Sequence, residues 1–137
     1  MAIIKVLLAD DHKIVRDGLR SLLEKDGGLE VVGEAPNGQV AVELAQELIP
    51  DVIVMDIGMP VMNGIEATER IVENQPSAKI IALSMHCDRR FVASIMEAGA
   101  SGYLLKDCAF DELVDAIRAV FAGQRYIGPG VATCDVR

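Results

Sequence analysis

Short apolar stretches rich in β-branched residues alternate with longer segments of helical period along most of this chain. The first stretch, Ile3 to Ala9, is followed by apolar positions spaced as on one face of a helix, and the plan then repeats. The predicted strands cover residues 3–9, 31–32, 51–56, 79–84 and 103–106. Near-continuous apolar strands separated by helices predict a five-stranded parallel sheet covered on both faces, which is a three-layer α/β sandwich.

Turn and cap residues support this division of the chain. Asn37 is a plausible cap for the second helix and Gly99 for the end of the fourth, while Asp111 and Glu112 fall in the first turn of the fifth, where the helix dipole favours acids. The pattern stops after residue 121, where glycines and a proline interrupt the sequence. We therefore expect one domain over residues 1–122 and a linker or tail over 123–137.

Composition limits the classes of function that this chain can serve. Thirteen Lys and Arg residues against twenty-one Asp and Glu leave a net charge of -8, which repels nucleic-acid phosphates and anionic lipids. The three cysteines lack metal-site spacing and suit a reducing compartment. No apolar run has the length of a transmembrane helix. Lys5 interrupts the apolar start of the chain, whereas the apolar region of a signal peptide is uncharged. These features predict a cytoplasmic domain that contacts neither membrane nor DNA directly.

Polar side chains end four of the five predicted strands. Because the carboxyl ends of parallel strands meet at one edge of the sheet, these groups should converge there. Each residue taken alone is an ordinary turn former or helix cap, but together they form a set with complementary charges. The set comprises Asp10 and Asp11 after the first strand, Asp56 at the end of the third, Ser84 at the end of the fourth and Lys106 at the end of the fifth.

Three neighbouring carboxylates need a compensating charge. At about 4 Å and an effective dielectric near 20, each pair of like charges costs on the order of 4 kcal/mol. Oxygen ligands favour Mg2+ over zinc or copper, so Asp10 and Asp11 are candidate metal ligands. If the strand order is 2-1-3-4-5, Asp56 lies centrally and is the candidate nucleophile of a phosphoryl transfer, with Ser84 and Lys106 placed to contact the phosphoryl oxygens.

The chain resembles the receiver domains of two-component response regulators over roughly residues 3 to 122. Those domains have a flavodoxin-like (CheY-like) fold. A long and specific set of residues carries the resemblance. It consists of Asp10-Asp11, Asp56 followed by Ile57-Gly58-Met59-Pro60 and Met62-Asn63-Gly64, Ser84, and Gly99-Ala100-Ser101-Gly102-Tyr103 leading to Lys106.

The resemblance implies a role for each of these positions. Asp56 would accept a phosphoryl group from a sensor histidine kinase, and Ser84 and Lys106 would contact the phosphoryl oxygens. Tyr103 would be the switch aromatic, turning from exposed to buried as Ser84 moves inward. The implied Mg2+ ligands are Asp11, Asp56 and the Gly58 carbonyl directly, and Asp10 through water. The implied activity is a switch, with no catalysis beyond the domain's own phosphoryl transfer and autodephosphorylation.

Further details point to the NarL/FixJ subgroup of these regulators. Asp-Asp-His at 10–12 and the segment 102–107 are similar to that subgroup, although Asp107 stands where many receivers have proline. In such regulators a linker leads to a LuxR-type helix-turn-helix domain that binds DNA, so we expect this output beyond the segment 123–137. Homodimerisation on phosphorylation is left open. His86 and Gly58 lie at positions that influence the lifetime of the phosphoryl group in receivers.

Three other classes fit parts of the pattern. An aspartate-nucleophile phosphatase of the haloacid dehalogenase type would need a second acid two residues after its nucleophile, where His12 and Lys13 stand instead. A flavodoxin-like carrier would need a phosphate-binding loop in place of Asp10-Asp11. A pseudo-receiver that only dimerises would not require every site position to be chemically competent.

Overall fold

Six strands and five helices alternate in residues 3–85 and 89–128, the part of the chain that the computed structural model describes. The strands are β1 (Ile4–Ala9), β2 (Leu29–Ala35), β3 (Val52–Asp56), β4 (Lys79–Ser84), β5 (Gly102–Leu105) and β6 (Tyr126–Ile127). The helices are α1 (Lys13–Glu24), α2 (Gly38–Leu48), α3 (Gly64–Asn74), α4 (Arg89–Glu97) and α5 (Ala109–Phe121), with a 3-10 turn at Lys106–Cys108.

All the strands pair in parallel in one sheet of order β2-β1-β3-β4-β5-β6. The predicted order 2-1-3-4-5 is confirmed, and β3 lies between β1 and β4 with every residue buried. No helix in the described ranges is both long and apolar enough to cross a membrane.

Successive residues of the central strands pack against opposite layers of helices. Val6 and Leu8 of β1 belong to a cluster with α1 and α5, whereas Leu7 and Ala9 belong to a second cluster, here called the α2/α3 cluster. The same alternation occurs in β3. Because both faces of the sheet are covered, a central strand such as β3 is apolar up to its last residue, whereas the edge strand β2 carries Glu30 and Glu34. This is the physical basis of the pattern seen in the sequence.

The helix boundaries follow the predicted cap residues. The Asn37 side chain accepts a hydrogen bond from Val40 N at 2.9 Å, which confirms it as the cap of α2. Gly99, just beyond α4, has a φ of 116°, and a Cβ there would lie 2.8 Å from Val72. A glycine is therefore required for both conformation and space. Glu112 lies in the first turn of α5, as expected.

The sixth strand differs from the five that the sequence predicts. Tyr126 N–H bonds to the Ser101 carbonyl, and Tyr126 pairs with Gly102 of β5. The Tyr126 hydroxyl also donates a hydrogen bond to Glu112, which raises the pKa of Tyr126 to about 12. A two-residue strand has no periodicity to detect, because long-range contacts hold it. Part of the predicted linker thus extends the sheet.

The hydroxyl of Thr68 on α3 is fully buried and has no hydrogen-bond partner among the described residues. We expect Thr68→Val to raise the free energy of unfolding by about 1 kcal/mol, because valine has a similar shape and removes an unsatisfied polar group. Urea denaturation followed by far-UV circular dichroism measures this. Thr68→Ser, which keeps the hydroxyl and loses the methyl group, should be less stable than the wild type. A valine variant no more stable than the wild type would contradict the expectation.

Candidate functional site

The carboxyl edge of the sheet gathers the polar residues that follow or end its strands. Asp10 follows β1, Asp56 ends β3, Ser84 ends β4 and Lys106 follows β5. Asp10, Asp56 and Ser84 are 1%, 4% and 5% exposed, so they are enclosed by the protein despite their polarity. Burial of this kind requires charge compensation within the site.

Lys106 supplies that compensation. Its Nζ donates a hydrogen bond to Asp56 Oδ2 at 3.0 Å and lies 3.0 Å from Asp10 Oδ2, with only 9% of the side chain exposed. Burial by itself lowers the pKa of Lys106, but its contacts with Asp10 and Asp56 outweigh burial and raise the pKa. The ammonium is therefore held in its charged form between two acids.

Asp56 has the opposite balance of effects. Burial raises the pKa of its carboxyl group, the hydrogen bond from Lys106 opposes that increase, and the charge of Asp10 adds to it. The net result is a raised pKa. The backbone N–H of Gly58 also donates to Asp56 Oδ1 at 3.1 Å, so both carboxylate oxygens have a donor.

A cluster of acids surrounds this contact. Asp10, Asp11, His12 and Asp56 each offer a ligand atom, and these atoms lie within 4.8 Å of one another. Asp10 Oδ2 is buried, and the described group that approaches it is the Lys106 ammonium, 3.0 Å away. A buried carboxylate oxygen with spare acceptor capacity beside two further carboxylates fits a hard cation with oxygen ligands.

His12 is the member of this cluster that the sequence analysis did not select as a ligand. Its Nδ1 lies 3.1 Å from both Asp10 Oδ1 and Asp11 Oδ1 and 3.5 Å from Lys106 Nζ. Its backbone N–H also bonds to Asp10 Oδ1 at 2.8 Å. The one signal for it in the sequence is its position directly after the acidic pair.

The loop from Ile57 to Asn63 joins Asp56 to α3. Gly64 N–H bonds to the Ile57 carbonyl at 2.9 Å, and a Cβ at Gly64 would lie 2.5 Å from the Asp56 carbonyl oxygen. Asn63 caps α3 by accepting a hydrogen bond from Glu66 N at 3.0 Å. The loop therefore leaves β3 and enters α3 under tight steric control.

A cavity of about 390 Å³ opens above these residues. Both polar and apolar residues line it. The lining residues are His12, Asp56, Ile57, Gly58, Asn63, Ile65, Ser84, Met85, Phe91 and Lys106. The cavity brings Ser84 into the same space as Asp56 and Lys106, and its volume accommodates a small anionic group together with a cation.

Tyr103 is fully buried in this structure, which corresponds to the inward of the two positions that the family resemblance implies. It packs in an apolar cluster with Ile57, Ala82, Ile95 and Ala100. Ala82 on β4 and Ala100 before β5 have small side chains, which leave room for the ring. His86 lies outside the described residues, as do Cys87 and Cys134, while Cys108 is a partly buried free thiol.

The chain belongs to the family of response regulator receiver domains, whose family model matches residues 6–118. Among curated proteins, it is 46% identical over 129 residues to the response regulator GacA of Pseudomonas aeruginosa, covering 94% of this chain and 60% of that protein. It is also 46% identical to the response regulator UvrY of Escherichia coli K12, covering 94% of this chain and 59% of UvrY. The chain thus spans about 60% of the length of these relatives.

Solved structures give the same result. A LuxR-family two-component response regulator from Aurantimonas superimposes with a TM-score of 0.91 at 42% identity, covering 96% of this chain and 94% of that one. The receiver domain of a response regulator described as NarL from Mycobacterium tuberculosis has a TM-score of 0.87 at 31% identity, covering 90% and 100%. The predicted receiver fold and the likeness to LuxR-type regulators are both confirmed.

An ion-pair network behind the acidic cluster supports the loop that carries it. Arg16 donates to the Asp10 carbonyl oxygen at 2.6 Å and to Glu34 at 3.0 Å, and Arg20 donates to Glu34 at 2.6 Å. Burial alone would raise the pKa of Glu34, but the bonds from Arg20 and Arg16 outweigh it and lower the pKa. Glu34 therefore stabilises the fold while it is ionised.

We expect Glu34→Gln to lower the free energy of unfolding by about 1 kcal/mol at pH 7, through loss of two charge-assisted bonds at a partly exposed site. A lowered folded-state pKa adds stability above the ordinary carboxyl pKa, and that stability is lost as the pH falls through the folded-state value. The difference from the wild type should therefore shrink in acid. Urea unfolding from pH 7 to pH 3 measures it, with the exposed Glu30→Gln on the same strand as control. A difference that does not change with pH would refute this assignment.

Proposed function

We propose that this receiver domain is a phosphorylation-activated switch in which Asp56 accepts a phosphoryl group from a sensor histidine kinase in a Mg2+-dependent reaction. The observation that carries the proposal is the contact of Asp56 with Lys106 inside an acidic cluster and beside a cavity. An isolated structural ion pair would not account for the additional carboxylates of Asp10 and Asp11. Beyond its own phosphorylation and autodephosphorylation, we propose no enzymatic activity.

In the proposed transfer, a carboxylate oxygen of Asp56 attacks the phosphorus of a phosphohistidine. An O–P bond forms and the P–N bond breaks, and the electron pair of that bond leaves with the imidazole nitrogen, which takes up a proton. The product is an acyl phosphate on Asp56. Attack by water later releases inorganic phosphate and restores the carboxylate. Ionised Asp56 is the nucleophile, and the charge of Lys106 favours that ionised form.

We propose that Asp11, Asp56 and the Gly58 carbonyl hold Mg2+ directly, with Asp10 acting through water. The support is the carboxylate cluster, in which the three acids Asp10, Asp11 and Asp56 outnumber the one lysine, Lys106, that contacts them. When bound, the ion neutralises charge on the phosphoryl oxygens and on the acids. Lys106 would then bond a phosphoryl oxygen, for which its place in the cavity suits it.

Ser84 and Tyr103 would convert this chemistry into a change of shape. Phosphorylation adds about two negative charges and new acceptor oxygens, which would draw the Ser84 hydroxyl inward. Because Tyr103 is buried in this structure, we propose that phosphorylation stabilises the inward ring within a two-state population. Full inversion of such a population needs roughly 5.5 kcal/mol, which a few charge-assisted hydrogen bonds of about 1.5 to 3 kcal/mol can supply.

We propose that the receiver extends past the predicted boundary at residue 122 to include β6, and that the segment after β6 leads to a LuxR-type helix-turn-helix output domain that regulates transcription. The support is the similarity to GacA and UvrY, which are longer, and to a LuxR-family regulator. DNA would be contacted only through that output, in keeping with the net charge of -8. A cytoplasmic location suits the odd number of cysteines and their lack of metal-site spacing in the sequence. Homodimerisation on phosphorylation remains part of the proposal without an assigned face.

The phosphoacceptor assignment is tested with acetyl phosphate and Mg2+. Intact-mass spectrometry should show one added phosphoryl group on the wild type and none when EDTA removes Mg2+. Asp56→Asn should remain unlabelled because an amide is not a nucleophile for this transfer. Asp115→Asn, an exposed acid on α5, is the matched control and should label normally. Retained labelling of Asp56→Asn would contradict the assignment of Asp56 as the phosphoacceptor.

The switch assignment is tested by hydrogen exchange of β5 and α4 before and after phosphorylation. Ser84→Ala and Lys106→Ala should still gain the phosphoryl group, but the change in exchange should be smaller than in the wild type, since each variant removes a contact to the added oxygens. Ser101→Ala, which removes a hydroxyl on the N-terminal side of β5, should respond as the wild type does. A full response in both variants would contradict the proposed roles.

A further inference from the structure

The loop over residues 57–63 contains Gly58. It contacts Asp56 through Gly58 and packs against the α2/α3 cluster through Met59 and Met62. Met59 and Met62 are buried and belong to the α2/α3 cluster, while Val61 between them is 82% exposed with a φ of 68°. A Cβ at Gly58 would meet nothing within 4 Å, so side-chain packing around Gly58 does not hold it. The Ile57 N–H bonds to the Leu83 carbonyl at 3.0 Å and holds the β3 side of the loop, so on the α3 side the position of Gly58 depends on the anchors at Met59 and Met62.

One of these anchors is the first residue of α2. The backbone N–H of Gly38 donates to the Met62 carbonyl oxygen at 3.0 Å. A Cβ built on Gly38 would lie 2.1 Å from that oxygen and 2.8 Å from the Met62 carbonyl carbon. Real Cβ atoms do not approach backbone so closely, so any side chain at position 38 must push the loop away from α2.

Local conformation gives no other reason for a glycine here. The residues with positive φ do not include Gly38, and Asn37 already caps the helix through Val40. At the start of a helix an alanine would otherwise be accepted at least as well as glycine. The glycine is therefore required by the approach of Met62, which is a tertiary contact.

We infer that Gly38 is a positioning residue for the proposed Mg2+ site, acting by seating the loop that presents the Gly58 carbonyl. This inference rests on the proposed function, because it assigns Gly58 to the ion. The backbone of α2 holds the Met62 carbonyl, and Met62 holds the α3 side of the loop, while the bond from Gly58 N–H to Asp56 holds its β3 side. Displacement of the loop would misplace one ligand while leaving the carboxylates intact.

The test is a titration with Mg2+ alone, followed by heteronuclear NMR at the amides of residues 56 to 58. Gly38→Ala should bind Mg2+ about tenfold more weakly than the wild type, at the lower end of the losses caused by removing the support of a metal ligand. Gln39→Ala, an exposed neighbour in the same first turn, is the control and should keep wild-type affinity.

Labelling kinetics with acetyl phosphate give a second readout. In Gly38→Ala the Mg2+ concentration at half-maximal rate should rise by the same factor, whereas the rate at saturating Mg2+ should approach that of the wild type. A purely structural glycine would lower the thermal midpoint and leave Mg2+ affinity unchanged. That outcome, in a folded Gly38→Ala variant, overturns the inference.

If circular dichroism shows that Gly38→Ala does not fold, the same substitution is made in the Thr68→Val background, which we expect to be more stable. Mg2+ affinity equal to that of Thr68→Val alone overturns the inference. The proposed function fails separately. If the wild type neither binds Mg2+ nor gains a phosphoryl group, the site assignment itself is wrong, whereas normal wild-type behaviour with unchanged variants removes only the role of Gly38.

Discussion

The ion contact of Lys106 with Asp56 and Asp10 is the interaction on which the rest of the site depends. It holds buried acids at one edge of the sheet, where they would otherwise repel one another and draw in water. Asp10 follows β1 and Asp56 ends the adjacent strand β3, whereas Lys106 follows β5. The lysine side chain therefore reaches across β4, which lies between β3 and β5. A long, flexible side chain is suited to this reach.

Backbone contacts carry the loops that complete the site. Gly64 meets the end of β3 and Gly38 meets Met62, and in both places the absence of a side chain allows backbone to approach backbone. The chemistry proposed for Asp56 therefore depends on residues that offer no functional group. It also links α2, through one hydrogen bond, to the loop that contains Gly58.

Much of the fold and the principal site residues could be predicted because their signals are local. An apolar run predicts each strand, and a polar residue at its end or directly after it, such as Asp56, Ser84 or Lys106, predicts where the strand stops. Two features escaped prediction. The two-residue strand β6 depends on pairing with the distant strand β5, and the approach of His12 to Asp10 and Asp11 is a short-range contact whose geometry adjacency in the sequence does not specify.

The sequence by itself determined the alternation of strands and helices, the family, and the polar residues available at the carboxyl edge, because periodicity and strand ends are written in neighbouring residues. Only the tertiary structure decided the distances within the acidic cluster, the pairing of Lys106 with two acids and the need for glycine at position 38. These depend on how strands from different parts of the chain are ordered and on how closely loops approach them. Hydrogen bonds and steric contacts act over a few ångströms, and no local pattern specifies such distances between residues far apart in the chain.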